Sequence, residues 1–207
     1  MSEPDLAARL FAQFGRPQGF LGWVAGKLMA SRSGNRIRNR WTVDLLDIGA
    51  GDRVLEVGYG PGLGVQAALS KVTRGLVVGF DHSCVMHGQA RRRNQRAVEL
   101  GGLLLRTGSL EDAPALGLTF DRAFCVNVAQ FWPDPDVALA VLKSLLKPGG
   151  RLALTYQPAG RRPQASDADR FATEAWPRLE RAGFSDIKVE RLTDLKPMPA
   201  VCLLATA

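Results

Sequence analysis

The segment Val54-Leu55-Glu56-Val57-Gly58-Tyr59-Gly60-Pro61-Gly62 places a carboxylate just ahead of three alternating glycines. Glycines at these spacings let the chain turn sharply and let a ligand lie against bare backbone with no Cβ in the way. A second carboxylate, Asp81, follows about 20 residues past the glycines, where a doubly wound fold places an acid for ribose hydroxyls. Together these residues have the chemistry to hold a nucleoside.

Other readings of the loop fail on spacing. A dinucleotide fingerprint needs G-x-G-x-x-G. Counted from Gly58 the sixth place is Leu63, and counted from Gly60 it is Val65. A phosphate-cradling loop needs Gly-Lys-Ser/Thr after four spacers, and no such stretch occurs. A purely structural turn is the bland alternative for any glycine cluster. The order strand, acid, glycines, helix, strand, acid weighs against it. His82, Cys84 and His87 invite a metal, but positions i, i+2 and i+5 do not share one helix face, so none is expected.

The elements needed to position these groups can be read from the punctuation. Arg53 to Val57 is a short apolar strand, Val65 to Val72 a helix, and Leu76 to Phe80 a second strand ending at Asp81. Ser83 can cap a helix running to about Leu100, stopped by Gly101-Gly102. Leu103–Arg106 and Phe120–Val128 follow as strands. Asp134 and Pro135 read as an N-cap and first helical residue. In that helix Val137, Val141, Leu142 and Leu145 share a face, and Lys147-Pro148-Gly149-Gly150 ends it. Arg151–Tyr156 is a fifth strand, Asp167–Ala182 a helix that Pro177 kinks, and Phe184–Leu192 and Val201–Thr206 the last strands. Strands alternating with helices imply a doubly wound, mostly parallel seven-stranded α/β sheet, and the closing pair implies an antiparallel edge strand. Ligands in such sheets bind beyond the carboxyl ends of the strands.

With these landmarks in order, the chain resembles the class I S-adenosylmethionine-dependent methyltransferases of the small-molecule type, close to those of quinone biosynthesis. The resemblance covers about residues 50–206. It also rests on Gly108-Ser109-Leu110-Glu111, Phe120-Asp121, Leu146-Lys147-Pro148-Gly149-Gly150-Arg151-Leu152 and Ala182-Gly183-Phe184. It implies a Rossmann-like sheet, S-adenosyl-L-methionine as cofactor, and methyl transfer to a small molecule by in-line displacement. It also implies roles for single residues. Gly58, Tyr59, Gly60 and Gly62 form the cofactor loop, which Glu56 orients. Asp81 holds the ribose 2′- and 3′-hydroxyls, and His82 and Met86 flank the adenine. Ser109 stands where the family often has an aspartate, leaving Leu110 to pack on the ring, while Asn127 and Val128 lie beneath the methionine part. Substrate-side candidates are Asn127, Gln130, Phe131, Trp132, Tyr156 and Gln157, with Trp23, Met29 and Trp41 from the N-terminal helices. No base is required, and Tyr156 is a poor one with an ordinary pKa near 10. The loop Asn127-Val128-Ala129-Gln130 is not the Asn/Asp-Pro-Pro-Tyr/Phe loop of similar families that methylate base or amide nitrogens.

Residues 1–45 read as an N-terminal helical lid over the mouth, ahead of a cofactor-binding domain at 46–207. Arg32, Arg36, Arg38 and Arg40 in that segment could meet an anionic acceptor, although such a run is more often a solvated face. Arg91, Arg92, Arg93 and Arg96 read the same way. Composition sets the outer bounds: 207 residues, 46% hydrophobic and 23% charged, with a net charge of +7. This is a globular composition with no apolar run near the ~18–20 residues of a membrane helix. The positive excess is mostly arginine and makes a nucleic-acid partner, as for an RNA methyltransferase, a minor alternative; a different class of alternative is a cofactor-binding protein without turnover. Cys84, Cys125 and Cys202 form no CxxC, so buried free thiols and a cytoplasmic setting are expected.

Overall fold

A computed structural model of the chain describes residues 33–159, 163–196 and 198–207. The helices expected over the first 30 or so residues, Trp23 and Met29 among them, lie outside the described residues. In chain order the elements are α1 (Ser33–Leu45), β1 (Arg53–Val57), α2 (Leu63–Leu69), β2 (Leu76–Asp81), α3 (Cys84–Arg93), α4 (Gln95–Glu99), β3 (Leu103–Thr107), β4 (Phe120–Val126), α5 (Pro135–Leu145), β5 (Leu146–Tyr156), α6 (Ser166–Arg181), β6 (Ser185–Leu192) and β7 (Ala200–Thr206). Short 3-10 turns at Leu110–Leu116 and Ala129–Phe131 follow β3 and β4.

The seven strands form one sheet in the order β3-β2-β1-β4-β5-β7-β6. The first five run parallel. β7 runs antiparallel to both β5 and β6, which closes the edge. Strand order reverses between β1 and β4, so a crevice opens beyond their carboxyl ends, where ligands of such sheets bind. The central strands are apolar on both faces because helices cover both. Leu55, Val57, Val78, Phe80, Cys125 and Leu154 enter one buried cluster with α5 and α6. Val54, Val77, Phe124 and Ala153 enter the other, with Val43, Leu46 and Val65.

Several expected boundaries move. β4 stops at Val126 because Asn127 turns the chain with φ of 57°. The single helix from Ser83 is interrupted at Asn94, whose side-chain amide donates to the carbonyls of Gly62 and Ala90. β5 pairing begins at Leu146 rather than Arg151. On α5 the buried residues are Ala138, Leu139, Leu142 and Leu145, whereas Val137 is exposed, because the inward stripe lies one residue further along. α6 runs through Pro177 without interruption.

The N-terminal segment is not wholly separate from the sheet. α1 packs on α2, β4, β5 and β7, and Val43 and the adjoining Leu46 are fully buried. The Thr42 and Thr155 hydroxyls lie 2.7 Å apart, joining α1 to β5. We therefore expect Leu46→Ala to cost about 2–5 kcal/mol of stability, as for other large-to-small core changes. Urea denaturation measures it, and an unchanged midpoint would mean that this segment is only an appendage.

Candidate functional site

The loop after β1 is held from three sides. The Gly58 N–H donates to the Phe80 carbonyl (2.7 Å), the Gly60 N–H to Asp81 Oδ2 (2.8 Å), and the Arg93 Nε to the Pro61 carbonyl (2.8 Å). Gly58 has φ of 72° and packs directly on Val128, so a Cβ there would collide with the valine methyls. Gly62, with φ of 82°, faces Ala90 and Asn94, leaving a Cβ only 2.8–2.9 Å from them. Gly60 differs, since a Cβ there would meet nothing within 4 Å. The loop is thus packed at both ends and open at its centre, which is the shape of a cradle for a ligand.

Both carboxylates stand beside that opening. Asp81 Oδ1 accepts from the Ser83 N–H (2.9 Å) and Oδ2 from Gly60, so each oxygen keeps a free lone pair for a further donor. Burial raises the Asp81 pKa, partly offset by these two N–H groups. Glu56 is 1% exposed and lies against Gly64 beneath the loop. Its carboxyl accepts from the Val65 N–H, while Oε2 has no partner. Burial, and then the charge of Asp81, push its pKa up to about 8. A cation near this pair would favour the ionised forms of both. An open glycine cradle, a ribose-type acid and an orphaned buried carboxylate oxygen fit a nucleoside bearing positive charge.

The remaining sequence candidates divide into those at the crevice rim and those turned into the core. His82 is exposed at the tip of β2, and Ser109 is exposed after β3 with its N–H donating to Asp112. Met86 and Leu110 are buried. Tyr59 is also buried, and its hydroxyl donates to the Arg106 carbonyl and lies 3.1 Å from His87 Nδ1, so only its backbone faces the loop side. The Asn127 side chain accepts from the Gln157 N–H (2.7 Å), joining the β4 and β5 tips. Gln130 and Phe131 are exposed after β4, while Trp132 packs half-buried on the main core. Tyr156 stacks on Phe171 with centroids 4.8 Å apart, and burial raises its pKa, so it stays a phenol at neutral pH. Trp41 is half-buried against the second cluster.

Three sequence expectations need correction. Cys84 is exposed at the start of α3, unlike Cys125 and Cys202, because it sits on the outer side of the helix. Arg93 is not merely a solvated side chain, since it anchors Pro61. Arg38 is buried rather than part of a solvated arginine face: it donates to Gln157 and Asn35. The support that Arg93 and Asn94 give to the loop has no signature in the glycine motif itself, and the one local signal of the break is an asparagine amid helical residues. Among the described residues no group of His, Cys, Asp or Glu could hold a metal, and no helix is long and apolar enough to cross a membrane.

A glycine loop and a neighbouring acid at the switch point of a mostly parallel sheet define a Rossmann-like protein. Residues 55–154 match the family model described as a methyltransferase domain. The chain is 33% identical over 182 residues to "Uncharacterized methyltransferase YdaC" of Bacillus subtilis (strain 168), covering 88% of this chain and 97% of that protein. It is 28% identical to 2-methyl-6-phytyl-1,4-hydroquinone methyltransferase 1 of Oryza sativa subsp. japonica, over 73% of this chain and 49% of that one. A crystal structure of a SAM-dependent methyltransferase from Aquifex aeolicus superposes with a TM-score of 0.69 at 20% identity, over 89% of this chain and 97% of that one. The chain belongs to the class I S-adenosylmethionine-dependent methyltransferases, enzymes that transfer a methyl group from that cofactor.

The Glu56 environment has a consequence for stability. Its pKa rises from the ordinary 4.5 to about 8 on folding, so between those values the folded state holds a proton that the unfolded state has lost. Stability from this group is therefore complete below pH 4.5 and declines as pH rises through about 8. The melting temperature of ligand-free wild type, relative to Glu56→Gln, is expected to fall across that interval. Parallel profiles for the two proteins would contradict the assignment.

Proposed function

We propose that the methyl acceptor is a small, partly apolar molecule held at the mouth of the crevice beyond β4 and β5. The observation that carries this is the apolar and aromatic set at those two strand ends: exposed Phe131, half-buried Trp132, and Tyr156 stacked on Phe171. Such surfaces suit an apolar ligand and can face a sulfonium. One relative is named for a phytyl-substituted hydroquinone, an aromatic acceptor with a long apolar chain, which agrees with the apolar part of this reading.

In this reading the cofactor supplies a methyl group already activated on sulfur. Gly58, Gly60 and Gly62 admit it against bare backbone, and Asp81 accepts from the two ribose hydroxyls with its free lone pairs. Glu56 supplies negative charge beneath the loop once a bound cation favours its ionised form. His82, Met86, Ser109 and Leu110 surround the base, and Asn127 and Val128 the amino-acid end. The chain's main work is orientation, which can be worth about 7–11 kcal/mol. No side chain needs to take a proton from an acceptor that arrives as a phenolate, a free amine or a thiolate. In this reading α1, packed on the sheet, forms part of the wall of the mouth.

Two measurements test this. Asp81→Ala is expected to weaken S-adenosylhomocysteine binding roughly 100-fold or more, since two bonds to a charged acceptor are lost. Calorimetry reads the affinity, with a melting curve to verify folding; unchanged affinity in a folded variant would overturn the ribose assignment. For the acceptor, labelled methyl is expected to move to one or more members of a metabolite extract. Transfer to tRNA or rRNA alone would favour an RNA substrate, which the +7 net charge would then explain.

A further inference from the structure

Among the described residues Arg38 is a buried cation without a counter-charge. It is 7% exposed, and its bonds run to neutral groups, the side-chain oxygens of Gln157 and Asn35. Its Nε is buried and has no partner. No carboxylate pairs with it among the described residues, whereas Arg40 on the same helix lies 3.9 Å from Asp44. Burial alone lowers its pKa, to about 10, with no acidic neighbour to offset it. Buried charges are costly unless paired, so a lone guanidinium in this position calls for an anion that arrives from outside. Merely bridging Asn35 and Gln157 would not need a charge.

The place of Arg38 in the fold indicates where that anion lies. Gln157 follows the tip of β5, and its N–H is bonded to Asn127 after the tip of β4. Val128, the next residue, packs on Gly58 of the loop after β1. On the other side Arg36 is close enough to Arg93 to lower its pKa, and Arg93 holds Pro61. This half of α1 therefore lies between the glycine loop and the β5 tip, on the opposite side of β1 from Asp81.

We propose that Arg38 binds a carboxylate at the β4–β5 side of the crevice. A planar guanidinium with unused donors is suited to a carboxylate, which it can grip through two parallel bonds. The carboxylate has two possible sources: the amino-acid tail of the cofactor, or an acidic acceptor. The site rests on the nucleoside reading of the crevice, and the test separates the two.

The experiment uses calorimetry on the full chain as wild type, Arg38→Gln and Arg38→Lys, with melting curves to check folding. The probes are S-adenosylhomocysteine, 5′-methylthioadenosine, which keeps the nucleoside but lacks the amino-acid tail, and benzoate added to protein saturated with S-adenosylhomocysteine. If the cofactor tail is the source, Arg38→Gln weakens S-adenosylhomocysteine roughly 10- to 100-fold and leaves methylthioadenosine unchanged, and Arg38→Lys recovers part of the loss. If the acceptor is the source, only benzoate binding to the loaded protein is lost. Equal losses for every probe would mean a structural role and overturn the proposal, as would no loss for any. Wild type that binds neither nucleoside would instead sink the nucleoside site, and this proposal with it.

Discussion

The 2.8 Å bond from the Gly60 N–H to Asp81 joins the tips of β1 and β2, and the rest of the site depends on it. A five-residue strand cannot by itself fix the path of the loop that follows it. Here the loop centre is tied to an acid on the neighbouring strand, and the same acid takes the Ser83 N–H that starts α3. One carboxylate thus sets the shape of the cradle and remains available at its edge. Burial makes the arrangement selective, because a half-desolvated carboxylate gains more from a good donor than a solvated one does.

The opposite side of the crevice is fixed by a second, weaker linkage of the same kind. Asn127 adopts a left-handed conformation and places its side-chain oxygen on the Gln157 N–H, so the turn after β4 is locked to the end of β5. Gln157 in turn bonds Arg38 of α1 and, through its amide, the Met198 carbonyl ahead of β7. Three segments far apart in the chain converge on one buried glutamine. The helix that precedes the sheet in sequence is therefore built into the wall of the site.

The glycine loop and Asp81 were legible because their meaning is local. Spacing alone told that a strand enters a tight backbone turn and that an acid ends the next strand. The strand and helix order was legible for a related reason, since buried parallel strands are near-continuous apolar runs. Arg38 was not legible. It sits in an arginine-rich stretch that reads as solvated, and its partner Gln157 lies 119 residues away. The Asn94 break was hidden likewise, because its purpose is to reach Gly62, which lies 32 residues earlier. Cys84 was misjudged because neighbouring apolar residues say little about which side of a helix a thiol occupies. What a side chain does through tertiary contact leaves little trace in its own neighbourhood.

The electrostatics of the crevice follow from these placements. Glu56 and Asp81 lie on one side of the switch point, where the charge of Asp81 disfavours ionisation of Glu56, and Arg38 lies across from them with no counter-ion among the described residues. Both sides carry a cost in the ligand-free protein, since burial, and then the charge of Asp81, make ionising Glu56 unfavourable, and a buried cation without an acid opposes folding. A ligand with positive charge at one end and negative charge at the other relieves both at once. The same ligand with either charge removed relieves only half. Charge separation in the fold, more than any single hydrogen bond, therefore favours ligands whose own charges are separated in the same sense.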